Sequence, residues 1–243
     1  MMRLVWNRWL LAGLIVCALA PDARAQLLIG VSFGGSGPTN WTTATAGGNY
    51  TNLIDENGNA SSVSLNLAAA SINSFTPTVL STSVPQHTPS LSALSHNLYS
   101  FVAGDSLTAT FSGLTPNQIY TVYAFGLESG GNNVPQAVTI TGAATTVLNQ
   151  TLNNRQLWVN GSAGSSSQSL ESYGLNAAAS NTGTIGIKFQ YTTSAFTASY
   201  TAAGVAISAV PEPSSLALGG LTALAGAGLA WRKRARNVTR RHA

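Results

Sequence analysis

The sequence predicts an all-β antiparallel sandwich, flanked by an N-terminal signal helix and a C-terminal transmembrane helix. Three observations lead there. Between 26 and 209 the apolar residues come in short β-rich runs punctuated by Gly, Asn, Pro and Ser, the pattern of many short strands joined by turns. Several runs alternate: over 106–112, Leu107, Ala109 and Phe111 fall on one side and Ser106, Thr108 and Thr110 on the other, which suits a strand with one buried face. Each end of the chain carries an uncharged apolar stretch with basic residues beside it.

Residues 1–25 read as a secretory signal peptide. Arg3 and Arg8 form the charged start, 9–20 is an apolar run, and Ala23-Arg24-Ala25 supplies the small-x-small site. Signal peptidase is therefore expected to cut before Gln26. Cys17, the only cysteine, follows Val16, where lipoprotein processing wants a small residue. The mature domain is thus expected to lack disulfides and thiolate ligands.

The middle segment, 26–209, is expected to place strands at 27–33, 62–67, 98–102, 106–112, 118–125, 136–141, 156–159, 168–173, 184–191 and 204–208. Leu114-Thr115-Pro116-Asn117-Gln118-Ile119-Tyr120-Thr121-Val122 resembles the tyrosine-corner region of fibronectin type III domains, which implies that Tyr120 bonds back to the backbone upstream. Such a domain needs only about 100 residues, and a single jelly-roll-like sandwich suits this longer segment better. Ile29-Gly30-Val31-Ser32-Phe33-Gly34 and Ala203-Gly204-Val205-Ala206-Ile207 resemble the first and last strands of galactose-binding-like jelly rolls in exported bacterial proteins. Paired as neighbours, those two ends would bring the chain to the tail at one pole.

The tail, 210–243, has three parts. Val210-Pro211-Glu212-Pro213 is followed by the uncharged stretch 214–231 and then by Arg232, Lys233, Arg234, Arg236, Arg240 and Arg241. As a helix the uncharged stretch would span roughly 27 Å, close to the hydrocarbon thickness of a bilayer. The basic cluster would stay cytoplasmic, leaving the β domain outside. This order resembles the PEP-CTERM sorting signal of Gram-negative bacteria. The resemblance implies an exosortase-type processing enzyme as partner, an inner-membrane precursor, and a mature protein at the cell surface or in an exopolysaccharide-rich extracellular matrix or biofilm.

Charge excludes one class of function. Of 243 residues only 7% are charged, against about 25% in ordinary soluble domains. The net charge of +4 comes from the two ends, because 26–209 holds only Arg155 and Lys188 against Asp55, Glu56, Asp105, Glu128 and Glu171. Without a basic patch to neutralise phosphates, nucleic acid is not expected as a partner.

Four local patterns invite chemistry. Gly104-Asp105-Ser106-Leu107 spells the GDSL string of SGNH esterases, but a serine needs an activating base, and the only histidine after it is His242 in the tail. No catalytic residue is assigned, and the protein is expected not to be an enzyme. Asp55, Asn57 and Asn59 alternate oxygens as a candidate structural calcium loop, although Asn57-Gly58 is equally a β-turn. No other metal or cofactor is expected. His87 and His96 lie in a Pro/Ser-rich segment without nearby carboxylates or thiols in sequence and read as a solvated loop. Trp41 and Trp158 are the candidate ligand-binding residues, as aromatics that could stack on sugars. The expected role is structural or adhesive. The alternative is a carbohydrate-binding module. A secreted hydrolase would need an acid pair that the sequence does not identify.

Overall fold

Strict alternation of apolar and polar residues makes two-faced strands, and two such sheets can bury their apolar faces only against each other. The computed structural model shows this arrangement. It describes residues 28–35, 37–75, 84–100, 104–127, 134–153, 155–192 and 200–210. The expected signal peptide, including Ala23, Ala25 and Gln26, and everything from Pro211 onward lie outside the described residues. In chain order the strands are β1 (Ile29–Phe33), β2 (Thr42–Ala44), β3 (Gly48–Tyr50), β4 (Ser64–Ala68), β5 (Asn73–Phe75), β6 (Asn97–Ser100), β7 (Leu107–Ser112) and β8 (Ile119–Leu127). There follow β9 (Val134–Thr141), β10 (Thr145–Leu152), β11 (Leu157–Val159), β12 (Ser162–Ala163), β13 (Leu175–Ala178), β14 (Ile185–Tyr191), β15 (Tyr200–Ala202) and β16 (Gly204–Ala209).

A seven-stranded sheet runs β12-β11-β8-β16-β1-β2, with β13 also pairing β8. A six-stranded sheet runs β10-β9-β14-β7-β4-β3, and a small third sheet runs β15-β6-β5. Pairing is antiparallel throughout except between β1 and β2, which run parallel. The first and last strands are neighbours, with Ile29 opposite Ile207 and Val31 opposite Val205. The main core lies between the two large sheets. Val31, Phe33, Val122, Val205 and Ile207 come from one side, and Leu65, Phe111, Ile140, Ile187 and Phe189 from the other. Each such side chain, fully buried, stabilises the fold by about 1.5–3 kcal/mol.

Strand β8 is buried on both faces. Tyr120, Val122 and Ala124 join the main core, while Tyr123, Phe125 and Leu127 join a second core. Because successive side chains point to opposite faces, the second core lies on the outer face of the seven-stranded sheet. Leu91, Leu94, Leu170 and Tyr173 cover it from two loop segments. The outer face of the six-stranded sheet is polar instead: Lys188 sits in register between Thr108 and Thr139.

Most expected strands are present within a few residues. The corner is also present, since Thr115 N–H donates to Tyr120 Oη at 3.0 Å. The exception is 168–173, where Leu170–Tyr173 forms a short 3-10 turn. Leu170 and Tyr173 are both buried, and a spacing of three puts them on one side of such a turn. The long strand β10 falls outside the sequence expectation because the apolar Val147 faces outward and the polar Gln150 takes an inward position, so no apolar alternation marks it.

Candidate functional site

The site is built on the outer face of the seven-stranded sheet, where β8 carries Tyr123 and Phe125 outward. Their rings lie 6.4 Å apart and nearly parallel, at 15°. Trp41 closes on Phe125 at 5.7 Å and lies so flat over β1 that a Cβ on Gly30 would come 2.1 Å from its ring. These aromatics form an apolar floor.

Three segments bring polar groups to its rim. The turn after β3 delivers Glu56, whose backbone is fixed twice: its N–H donates to Leu28 O at 2.9 Å, and Asn40 Nδ2 donates to its carbonyl at 2.9 Å. Gln86 bridges to Ser169 in parallel fashion, with its N–H donating to Gln168 O at 2.8 Å and its carbonyl accepting from Leu170 N at 2.9 Å. This stitch sets His87 beside the turn that carries Glu171. His87 Nε2 lies 3.7 Å from Glu56 Oε2, and the two side chains are 9% and 23% exposed. Although buried, Nε2 has no hydrogen-bond partner. The Tyr123 hydroxyl feels the same groups. Burial first, then the charges of Glu171 and Glu56, push it up to about 12. The result is a phenol, an imidazole and two carboxylates around an aromatic cluster that is itself closed to solvent, with Trp41, Tyr123 and Phe125 only 6%, 4% and 0% exposed.

The residues singled out from sequence are placed differently. Trp41 belongs to the floor and is 6% exposed. Trp158 lies between Leu157 and Val159, which face the second core, so its own side chain points to the opposite face of the sheet. The two indoles therefore do not share a site. Asp55 spends its carboxylate on its own turn: Oδ1 accepts from Asn57 N and Asn59 N, both at 2.9 Å, and Asn59 Nδ2 donates to both oxygens. Among the described residues no three His, Cys, Asp or Glu side chains form a group able to hold a metal. Asp105 is committed in the same way, accepting from Ala70 N, Ser71 N and Ser106 N at 3.2, 2.9 and 2.7 Å. Burial alone would raise its pKa, but a Ser100 hydrogen bond and these three backbone donors outweigh it and hold the carboxyl below its ordinary value. His87, expected in a solvated loop, is buried because Gln86 zips that loop onto 168–170.

Glu56, Tyr123 and Glu171 were not singled out in the sequence. A turn carboxylate, a strand tyrosine and a second glutamate well over a hundred residues from the first share no motif, and only the sheet brings them together. That Asp55, and not Glu56, closes their shared turn is visible only in the structure.

At the pole where β16 ends, Val210 N–H donates to Ile119 O at 3.0 Å. Comparison with known families gives one match from this point on: the model of the PEP-CTERM protein-sorting motif fits residues 209–235. The match takes in Val210, Pro211, Glu212 and Pro213 and the first basic residues, Arg232, Lys233 and Arg234. Arg236, Arg240 and Arg241 follow it. The chain therefore carries the sorting signal of an exported, membrane-anchored precursor handled by exosortase-type machinery. Among the described residues no helix is long and apolar enough to cross a membrane, and 214–231 lies outside them.

No curated protein matches the chain. Among solved structures it is similar to an exo-β-1,3-galactanase from Phanerochaete chrysosporium, at TM-score 0.34 and 11% identity, over 68% of this chain and 30% of that one. A CBM35 from Cellvibrio japonicus Abf62 is similar at TM-score 0.31 and 9% identity, over 58% of this chain and 92% of that one. The Podospora anserina GH26-CBM35 β-(1,4)-mannanase is similar at TM-score 0.30 and 13% identity, over 62% and 29%. This chain thus spans less than a third of either hydrolase, and likenesses at this level add nothing to the fold described above.

Proposed function

We infer that the β domain is a non-catalytic surface module that holds extracellular polysaccharide, and so serves an adhesive or structural role in the matrix outside the cell. The observation that carries this reading is the polar outer face of the six-stranded sheet, where Thr108, Thr110, Thr139 and Thr141 stand in register with Lys188 and Gly186. Hydroxyls spaced regularly along a pleated, solvent-facing sheet can trade hydrogen bonds with the hydroxyl periphery of a polysaccharide. The sorting signal supports the location. The carboxylates of Asp55 and Asp105 are both spent on backbone N–H groups, which favours binding over hydrolysis.

The test is co-sedimentation of the protein with polysaccharide purified from the producing cells. It is expected to pellet with the polymer and to release no reducing ends. Protein left in the supernatant would sink the binding role, and steady release of reducing ends would replace the module with a hydrolase.

A further inference from the structure

A strand at the end of a sheet presents a row of unpaired N–H and C=O groups that another chain can pair with. Among the described residues, most strands that end a sheet or branch from one are too short to matter in this way. Strand β12 has two residues, β2, β3, β5 and β15 have three each, and β13 has four. The exception is β10, which ends the six-stranded sheet and runs for eight residues, Thr145–Leu152. None of the usual devices blunts it. Its register with β9 is continuous from Thr145 to Leu152, so no bulge bends it. It holds no proline, and no charged residue stands between Glu128 and Arg155.

The free side of β10 is open over its first half. Among the described residues its backbone pairs with β9 alone, and no loop backbone reaches it from the other side. Thr145, Thr146 and Val147 are exposed in succession, so neither face of the strand is covered there. Val147 is 58% exposed, and among the described residues only Ile119 is another large hydrophobic side chain left in solvent. The second half of the strand is flanked instead. A Cβ on Gly161 would lie 3.6 Å from Asn149 O, and Gln150 Nε2 holds the Asn160 carbonyl at 2.6 Å. The open stretch is therefore 145–149, and Val147 stands at its centre.

We propose that two copies of this chain pair through β10, antiparallel about a two-fold axis at Val147. Thr145 of one copy then stands opposite Asn149 of its partner, Thr146 opposite Leu148, and Val147 opposite Val147. A second copy is the occupant this edge fits. A strand paired with itself in antiparallel fashion presents the same patch from both sides, and its alternating N–H and C=O groups then meet their own two-fold mates. The lack of charge removes the like-charge repulsion that self-pairing otherwise meets, and each exposed Val147 gains apolar cover from the other. The contact also closes on itself, because the opposite end of the sheet is the three-residue β3. Two six-stranded sheets become one of twelve. Val147 and Thr145 are in register with Thr139 and Thr141, so the polar outer face continues across the seam. The pairing goes beyond the polysaccharide-binding reading and does not depend on it.

The test is cysteine cross-linking of the full chain in detergent micelles, with Cys17→Ser removing the only native thiol. Thr145, Val147 and Asn149 are all exposed, so single cysteines there leave the fold intact. Val147→Cys is expected to form a disulfide-linked dimer under mild oxidation. Thr145→Cys and Asn149→Cys are expected to cross-link with each other at least tenfold faster than either does with itself, because each lies roughly 13 Å along the strand from its own counterpart, beyond disulfide reach. Sedimentation equilibrium gives a second reading. The parent chain is expected to dimerise at about 100 μM and to dissociate on dilution, as a contact at the small end of the size range does. Val147→Lys is expected to weaken the dimer at least tenfold, and an equimolar mixture with Val147→Glu to restore it. A parent chain that stays monomeric at that concentration overturns the proposal. So does mixed cross-linking no faster than unmixed, or a dimer indifferent to Val147→Lys, which is what association through the tail alone produces.

Discussion

Tyr123 shows how one side chain can serve packing and charge at once. Its ring belongs to the second core and stacks near Phe125, while burial and the charges of Glu171 and Glu56 hold its hydroxyl at about 12, against 10.0 for an ordinary tyrosine. In the unfolded chain the phenol ionises near pH 10. Between there and the folded value the unfolded state binds fewer protons, so stability falls as pH rises through this window and is unaffected below it. Two pH units correspond to about 2.7 kcal/mol at most. Tyr123→Phe is expected to flatten the loss of stability between pH 10 and 12, as read by urea unfolding at a series of alkaline pH values; a variant as pH-sensitive as the parent would remove Tyr123 from this role.

At the scale of elements, Asn160 takes the place of missing strand. On one side of β8, β13 pairs as far as Val122 and β11 takes over at Phe125. The interval is closed by Asn160, whose Oδ1 accepts from Ala124 N at 3.0 Å and whose Nδ2 donates to Val122 O at 2.9 Å and Tyr173 O at 2.7 Å. Its φ of 53° is left-handed, a region that asparagine tolerates better than most residues. Gln150 Nε2 donates to the Asn160 carbonyl at 2.6 Å, and Gln136 Nε2 links Gln150 to Thr201 O, so the same amides tie β9 and β10 to the seven-stranded sheet. Asn160→Ala would strand three buried backbone groups and strain the turn. A loss of about 3 kcal/mol is expected in equilibrium urea unfolding, and a loss below about 1 kcal/mol would mean that water replaces the amide. The pattern of Leu157 and Val159 marked β11 in the sequence, but nothing there revealed that an asparagine would complete the ladder. Side-chain amides pair by geometry, not by periodicity.

For the whole molecule, the sandwich hands the chain to its sorting signal without a spacer: Ala209 is still opposite Tyr120 in the sheet, and the motif match begins at that residue. Proline lacks the N–H that would extend the ladder, so the strand is expected to stop where the recognition segment starts. Intact mass of the protein recovered outside the producing cell is expected to show a species that begins at Gln26 and ends near Pro213. A species running through Ala243 would make the tail a permanent anchor.

What the sequence determined by itself is what depends on local order. Alternating apolar residues set most of the strands and the all-β class, Tyr120 and its upstream loop set the corner, and the proline pair, apolar stretch and basic cluster set the sorting signal. Trp41 and Trp158 looked equivalent in that reading, and only the pleat of the seven-stranded sheet turns them to opposite faces. The meeting of Glu56, His87, Tyr123 and Glu171 was likewise decided by tertiary structure alone. Strand pairing joins residues far apart in the chain, and a charge acts through distance in space, which no linear pattern records.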